Sequence, residues 1–229
     1  MSKIISSGLL VAAVVFATAC QDTVKLDSDV RKTSYAIGQQ FGGNLKQNGI
    51  AIDTAAMAMA FADVAAGKNQ LSQEDMKAAM VKLQETAMKK EQAVAEGNGK
   101  AGSEFLEKNK SNPGVKVTQS GLQYIVESEG SGPSPKKDDM VRVHYQGNLI
   151  TGEKFDSSYD RGEPVEFQVG GVIAGWTEAL QLMKVGAKYK LFIPARLAYG
   201  TTGRPGIPPN SVLVFQVELK EIVKQGKKK

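Results

Sequence analysis

The sequence is poor in the residues that most catalytic sites depend on. It has one cysteine, Cys20, and one histidine, His144, in 229 residues. His144 falls on the outward face of a predicted strand, so no triad or metal cluster can be built around it. The sequence also has no Cys-x-x-Cys, no His-Glu-x-x-His and no phosphate-binding glycine loop followed by Lys-Ser or Lys-Thr. Hydrolysis, redox chemistry and phosphoryl transfer are therefore poorly supported, and we expect no metal and no cofactor.

The chain also lacks a strong charge bias. Its formal net charge is +5, and its clearest basic cluster is the terminal run 227–229. No aromatic side chains are interleaved with that cluster, as they commonly are in nucleic-acid interfaces. A solvated tail is the better interpretation, and we expect no nucleic-acid partner.

The only long apolar run lies near the amino terminus and is too short to span a bilayer. A lysine precedes it and small residues follow it, which predicts a signal peptide over residues 1–19. Cys20 comes next, where it resembles the acylated cysteine of bacterial lipoproteins, although Ala17 replaces the leucine usual in that signal. We expect lipidation at Cys20, with ordinary cleavage beside an incidental cysteine as the alternative. A short polar tether then spans residues 20–28.

Helical periodicity occupies the next part of the chain. Residues 29–70 contain two amphipathic segments, the second preceded by the capping residue Asp53 and followed by Gly67. Ser72 and Asp75 resemble a capping box that opens one long helix over residues 71–110. Gly97, Gly99 and Gly102 weaken the centre of this helix, and a break or a bend at these glycines is the alternative to a continuous helix. A set of only three helices buries little surface on its own. The helical part of the chain therefore predicts association of two copies.

The carboxyl-terminal domain, residues 115–225, has the pattern of short strands separated by glycine and proline turns. We predict strands over 116–126, 141–147, 166–169, 188–194 and 212–222, and one helix over 175–183. An antiparallel sheet wrapped on one short helix is α+β architecture. Aromatic residues recur along these strands and favour a concave apolar pocket with few polar groups.

The same residues carry a family resemblance. The motifs are Val143-His144-Tyr145-Gln146-Gly147, Phe155-Asp156-Ser157-Ser158, Val172-Ile173-Ala174-Gly175-Trp176, Ala198-Tyr199-Gly200 and Leu213-Val214-Phe215. In this order and spacing they resemble FKBP-type peptidyl-prolyl cis-trans isomerases. The resemblance implies that the protein isomerises X–Pro bonds of unfolded polypeptides, and that macrolides of the FK506 and rapamycin type bind the same pocket.

The resemblance also assigns roles to individual residues. Asp156, Tyr199 and Tyr145 are the expected catalytic residues, with the Tyr199 hydroxyl and the Ile173 backbone N–H donating to substrate carbonyls. Trp176 is expected to form the pocket floor. The other expected substrate-binding residues are Phe155, Arg161, Val165, Phe167, Val172, Ile207 and Phe215. Val165 stands where many relatives have an aromatic residue, and the flap at 206–209 is one residue shorter than in some of them.

The helical part resembles the amino-terminal domain of FKBPs similar to the macrophage infectivity potentiator, through Ser34-Tyr35-Ala36-Ile37-Gly38 and Phe61-Ala62-Asp63-Val64. This resemblance implies a homodimer through residues 29–87. It also implies a place in the bacterial cell envelope, in the periplasm and anchored to the outer membrane through Cys20. Two other functions remain open: a holdase chaperone that works through the dimer cradle, and a surface adhesin.

Overall fold

The computed structural model of the protein describes residues 24–47 and 49–223. The predicted signal peptide and Cys20 lie outside the described residues. The chain divides at residue 70 into two units, the second of which contains the long helix and the sheet.

The first unit consists of α1 (Asp29–Gln47) and α2 (Thr54–Ala66). The Asp53 carboxylate caps α2 by accepting from the backbone N–H groups of Ala55 and Ala56 at 2.8 and 3.0 Å. Gly67 ends the helix in the left-handed conformation, with φ 63°. Neither helix has a buried residue. The predicted boundaries of the second helix, Asp53 and Gly67, are confirmed, and no apolar side chain of either helix is buried in the single chain.

The second unit begins with α3 (Gln73–Asn109), which runs without interruption through its three glycines. The Ser72 hydroxyl caps it by accepting from the Asp75 N–H at 3.0 Å, as the capping-box pattern predicts. Gly102 and Asn109 are its only buried residues, so most of the helix is solvated. Its last turns, however, pack on the sheet.

Three contacts fix those last turns. The Phe105 and Phe192 rings lie 5.9 Å apart. The Asn109 side chain donates to the Gln123 side chain at 2.8 Å, and Gln123 donates back to the Leu106 carbonyl at 2.9 Å. The carboxyl-terminal end of α3 is thereby part of the sheet domain rather than a free connection.

The sheet has seven strands, β1 (Lys116–Val117), β2 (Gln123–Ser128), β3 (Met140–Leu149), β4 (Lys154–Ser157), β5 (Val165–Gln168), β6 (Lys188–Ile193) and β7 (Leu213–Val223). All pairings are antiparallel, in the order β1-β2-β6-β7-β3-β4, with β5 also paired to β3. Besides the end of α3, the helix α4 (Ala174–Leu182) packs against it. The expected α+β class is confirmed.

Two details of the predicted sheet are wrong. The single strand expected over 116–126 is two strands, β1 and β2, because the chain turns at Gly121 with φ 82° and the two segments pair with each other. The short strand β4 was not predicted, because its four residues are too few to establish an alternating pattern.

The core lies between one face of the sheet and α4. Along β3, Val141, Val143 and Tyr145 are buried while the residues between them are only partly covered. Leu180 and Met183 of the α4 segment fill the opposite side. Gly175 allows this close packing, because a Cβ there would lie 2.5 Å from Ile193 Cγ2.

Candidate active site

An aromatic cleft of about 300 Å³ opens between the core face of the sheet and the amino-terminal end of α4. We refer to it below as the aromatic cleft. It is lined by Tyr145, Phe155, Asp156, Phe167, Gly171, Val172, Ile173, Trp176, Tyr199, Arg204 and Phe215. Most of the residues expected from sequence therefore converge on one cavity.

Trp176 forms the centre of this arrangement. Its ring meets those of Tyr145, Phe167 and Phe215 at centroid distances of 5.3, 5.7 and 5.2 Å, in each case edge to face. Its indole Nε1 is buried and has no hydrogen-bond partner among the described residues. An unpaired donor is costly in a core, so its presence is typical of a functional site.

Gly147 sets how closely the rings approach. A Cβ at this position would lie 2.6 Å from Phe155 Cζ and 2.6 Å from Phe215 Cε1. The two phenylalanine rings meet edge to face at 5.4 Å, directly over the bare backbone. A side chain at 147 is therefore incompatible with this part of the cleft wall.

The polar end of the cleft is a triad of hydrogen bonds. Strand pairing sets Asp156 opposite Gly147, which brings its carboxylate to the Tyr145 hydroxyl at 2.6 Å. Arg161 donates to the Asp156 carboxylate at 2.6 Å and to the Tyr145 hydroxyl oxygen at 2.8 Å. Each of the three side chains is hydrogen-bonded to the other two, so the Asp156 carboxylate has a fixed position at the cleft wall.

The environment also fixes the protonation states of this triad. Burial raises the pKa of Asp156, but the hydrogen bonds from Tyr145 and Arg161 and the guanidinium charge outweigh it, so the pKa of Asp156 is lower than usual. Burial and the adjacent carboxylate raise the pKa of Tyr145. Across the neutral range Asp156 is thus ionised and Tyr145 is protonated.

Ser158 contacts the backbone of Tyr145, one of the three residues of the triad. It is fully buried, and its hydroxyl accepts from the Tyr145 backbone N–H at 2.8 Å. The hydroxyl also lies 3.0 Å from His144 Nδ1. His144 occupies the other face of β3, as predicted, where its ring stacks on Tyr159 at 4.6 Å. Sequence reasoning included Ser158 in a motif but assigned it no role.

Two expected donors also belong to residues that line the cleft. The Tyr199 hydroxyl lies at the cleft wall, and Ile173 immediately precedes α4. Within the described residues, the Ile173 backbone N–H donates to no protein acceptor. Both groups are thus available to a bound ligand.

Three expected residues lie beside the cleft rather than in its lining. Ile207 is 3% exposed and belongs to the core beneath the flap. Val165 packs against the core from β5. Arg161 acts through Asp156 and Tyr145. Arg204, in contrast, lines the cleft and received no role from the sequence. The only signal for it was its charge within the turn over residues 203–209, which we call the flap turn.

A larger cavity of about 560 Å³ lies on the other face of the sheet, beside the end of α3. Its lining mixes apolar side chains with five amide side chains, those of Asn109, Asn112, Gln146, Asn148 and Gln216. The aromatic cleft is the better candidate site, because it combines apolar walls with a few fixed polar groups.

Two other kinds of feature are absent from residues 24–47 and 49–223. No group of three or more potential metal ligands is present in that part of the chain. Nor does it contain a helix with the length and apolar character needed to span a membrane.

Comparison with protein families gives two matches that together cover most of the chain. Residues 132–220 match the model of the FKBP-type peptidyl-prolyl cis-trans isomerase. Residues 30–126 match the domain amino terminal to FKBP-type peptidyl-prolyl isomerase. The resemblance seen in the sequence motifs is confirmed for both domains.

Individual relatives agree with these matches. The chain is 42% identical over 229 residues to the outer membrane protein MIP of Legionella longbeachae, covering 97% of this chain and 98% of that protein. It is 41% identical to FkpA of Escherichia coli K12, covering 90% and 80%. The crystal structure of FkpA from Escherichia coli aligns with a TM-score of 0.66 at 42% identity, covering 86% of this chain and 97% of the other.

Proposed function

The chain belongs to the FKBP-type peptidyl-prolyl cis-trans isomerases, and from this premise we propose that it accelerates X–Pro isomerisation in the aromatic cleft while proteins of the bacterial cell envelope fold. The observation that supports the proposal best is the convergence of six aromatic side chains and a fixed carboxylate on one cavity, where the Tyr199 hydroxyl and the Ile173 N–H are available as donors. This arrangement needs no nucleophile, metal or cofactor.

The chemistry of the reaction explains why such a cleft suffices. The barrier to rotation, about 18–20 kcal/mol, is the loss of amide resonance. A twisted amide is less polar than a planar one, so an apolar cleft that excludes water favours the transition state over the ground state. Phe167, Trp176 and Phe215 supply the apolar surface on which a proline ring would rest.

The polar groups orient the peptide within the cleft. The Tyr199 hydroxyl and the Ile173 N–H are proposed to donate to two carbonyl oxygens of the substrate, which holds one side of the prolyl bond while the other rotates. Asp156 is proposed to face the rotating amide, with Tyr145 and Arg161 fixing its position. Positioning of this kind supplies a large share of many enzymatic rate accelerations.

Refolding of a protein limited by proline isomerisation tests this proposal. Wild type is expected to accelerate the slow phase, Asp156→Ala and Tyr199→Phe are expected to lose most of the effect, and a macrolide of the rapamycin type is expected to compete. Lys184→Gln, a surface change outside the cleft, serves as the control. An unchanged slow phase with reduced aggregation would replace the proposal with the holdase alternative.

We also propose that two copies associate through residues 29–87. The apolar side chains of Ile37 and Phe41 on α1 and Phe61 on α2 are 63%, 50% and 68% exposed, and those of Met76 and Met80 on α3 are 54% and 60% exposed. Helices with no buried residue have no core of their own, and a second copy would complete one. Two clefts in one dimer would then bind one chain bivalently.

Sedimentation of the mature chain tests the dimer. Phe61→Asp is expected to shift the protein to monomer and to reduce its helix content, because a charge cannot be buried in the new core. Val117→Asp is a matched control, since Val117 is 51% exposed but lies in the sheet domain. A Phe61→Asp protein that stays dimeric would contradict the proposed interface.

We further propose that acylation of Cys20 anchors the protein to a membrane. A lipidated cysteine at the mature amino terminus, followed by Gln21, would hold the protein at the outer membrane and place both domains in the periplasm. Mass spectrometry of the protein purified from membranes is expected to show acyl chains on Cys20, and Cys20→Ser is expected to release the protein into the soluble fraction. An unmodified Cys20 would favour ordinary signal cleavage.

A further inference from the structure

Arg204 is held in the flap turn so that its side chain reaches the aromatic cleft. Its backbone N–H donates to the Ile207 carbonyl at 2.9 Å, and the Ile207 N–H donates back to the Arg204 carbonyl at 2.8 Å. Ile207 is buried in the core, so this pair of hydrogen bonds ties Arg204 to a fixed point. The backbone of Arg204 is therefore fixed, although its side chain is exposed.

The guanidinium of Arg204 contacts Tyr199 in two ways. Nη1 donates to the Tyr199 hydroxyl oxygen at 2.9 Å, and the guanidinium carbon lies 5.0 Å from the centroid of the tyrosine ring. A guanidinium donates and never accepts, so the Tyr199 oxygen is the acceptor in this bond. The hydroxyl hydrogen is then left to point elsewhere, and no described residue accepts it. Arg204 thereby leaves Tyr199 as a donor toward a ligand.

Arg204 also gives the cleft a positive charge that no described carboxylate neutralises. The other cation at the cleft, Arg161, is neutralised by Asp156 at 2.6 Å. Among the residues that the structure describes, no carboxylate pairs with Arg204. A substrate that enters the cleft therefore meets a matched ion pair, Arg161 with Asp156, and one positive charge, Arg204, that no described carboxylate neutralises.

We infer that Arg204 is a specificity-determining residue that favours prolyl substrates with a carboxylate side chain beside the proline. The inference rests on the proposed isomerase function and adds a substrate class to it. The guanidinium touches the hydroxyl that is proposed to bind the substrate backbone, so a Glu or Asp side chain next to that point lies within reach of the charge.

Peptides that differ only in the flanking residue test the inference. Two series are used, in which Glu, Gln or Lys either precedes or follows the proline, and kcat/KM is measured for each peptide. Two unit charges at about 6 Å at an exposed site change the rate by about threefold to tenfold. Wild type is expected to favour Glu over Lys by this factor in at least one series. The preference should nearly vanish at 1 M salt, where the Debye length is about 3 Å.

Three variants separate charge from general damage. Arg204→Gln removes the charge and is expected to abolish the Glu preference, and Arg204→Lys is expected to retain part of it. Lys184→Gln removes one exposed positive charge outside the cleft and is expected to keep the full preference. A ratio between two peptides cancels any loss of folded protein, so a purely structural role for Arg204 would leave the ratio unchanged.

The outcomes distinguish the inference from the proposed function. Acceleration of all peptides without a Glu preference, or a preference that survives in Arg204→Gln, would overturn the inference and leave the isomerase function standing. No acceleration of any peptide would overturn both.

Discussion

The glycines of α3 give the sharpest test of how the helix docks on the sheet domain. A Cβ at Gly102 would lie 2.7 Å from Val212 Cγ2, whereas a Cβ at Gly97 would meet nothing within 4 Å. Beside this contact, the Asn98 side chain donates to the Pro209 carbonyl at 2.8 Å, and the Asn210 side chain donates to the Ala95 carbonyl at 3.1 Å. The glycine-containing face of α3 thus packs against residues 209–212, which we call the flap base.

The magnitude follows from two opposing terms. Replacing Gly by Ala in a helix interior stabilises it by about 1 kcal/mol, and this gain is common to both positions. At Gly102 the new methyl group must displace Val212, which is 4% exposed and has a stiff β-branched side chain. Overpacking of this kind costs about 1–3 kcal/mol. We therefore expect Gly97→Ala to stabilise the protein and Gly102→Ala to be about 1–3 kcal/mol less stable than Gly97→Ala.

Fluorescence of Trp176 makes the measurement specific to the sheet domain, because it is the only tryptophan in the chain. Urea unfolding followed at this residue gives the free energy of unfolding of each variant. In the double variant Gly102→Ala/Val212→Ala, the space vacated by valine should accept the new methyl group, with a coupling energy above about 0.5 kcal/mol. Equal unfolding midpoints for Gly97→Ala and Gly102→Ala would refute the docking of α3 on the flap base.

Three further predictions concern the cleft and the first unit. Gly147→Ala is expected to lower kcat/KM in a prolyl isomerisation assay by at least about tenfold, because its methyl group would force apart two phenylalanine rings of the cleft wall. The pH profile of kcat/KM is expected to be flat from about pH 5 to 9: the pKa of Asp156 is lowered and that of Tyr145 is raised, so stabilisation by the ionised Asp156 is lost only as the pH falls through its lowered pKa, and a titration near neutrality would contradict this. Asp53→Ala is expected to destabilise α2 by about 1 kcal/mol, seen as earlier loss of helical circular dichroism on heating, with Asp53→Asn retaining most of the stability.

The aromatic part of the cleft was predictable because strand periodicity assigns side chains to faces. Val141, Val143 and Tyr145 alternate along β3, and the structure buries all of them on one side. Resemblance then selected the partners of Tyr145 from distant parts of the chain. The helix caps at Asp53 and Ser72 were equally readable, since a cap depends only on residues within one turn.

Contacts made across the fold by loops and helix faces were not predictable in the same way. The bond between Arg204 and Tyr199 depends on how the flap turn closes over Ile207, and no periodicity encodes that closure. The position of Asn98 opposite Pro209 depends on the docking of α3, which joins residues far apart in the chain.

The glycines of α3 show why local rules fail at such places. Counted by helix propensity, Gly97, Gly99 and Gly102 weaken the helix by about 1 kcal/mol each, which favours a break. The helix nevertheless continues through all of them, because Gly102 removes a steric conflict with Val212 and the neighbouring asparagine bonds then form between α3 and the flap base. A residue that destabilises an isolated helix here allows its docking. The glycine-containing part of α3 and residues 209–212 are therefore held together by close packing and by two hydrogen bonds.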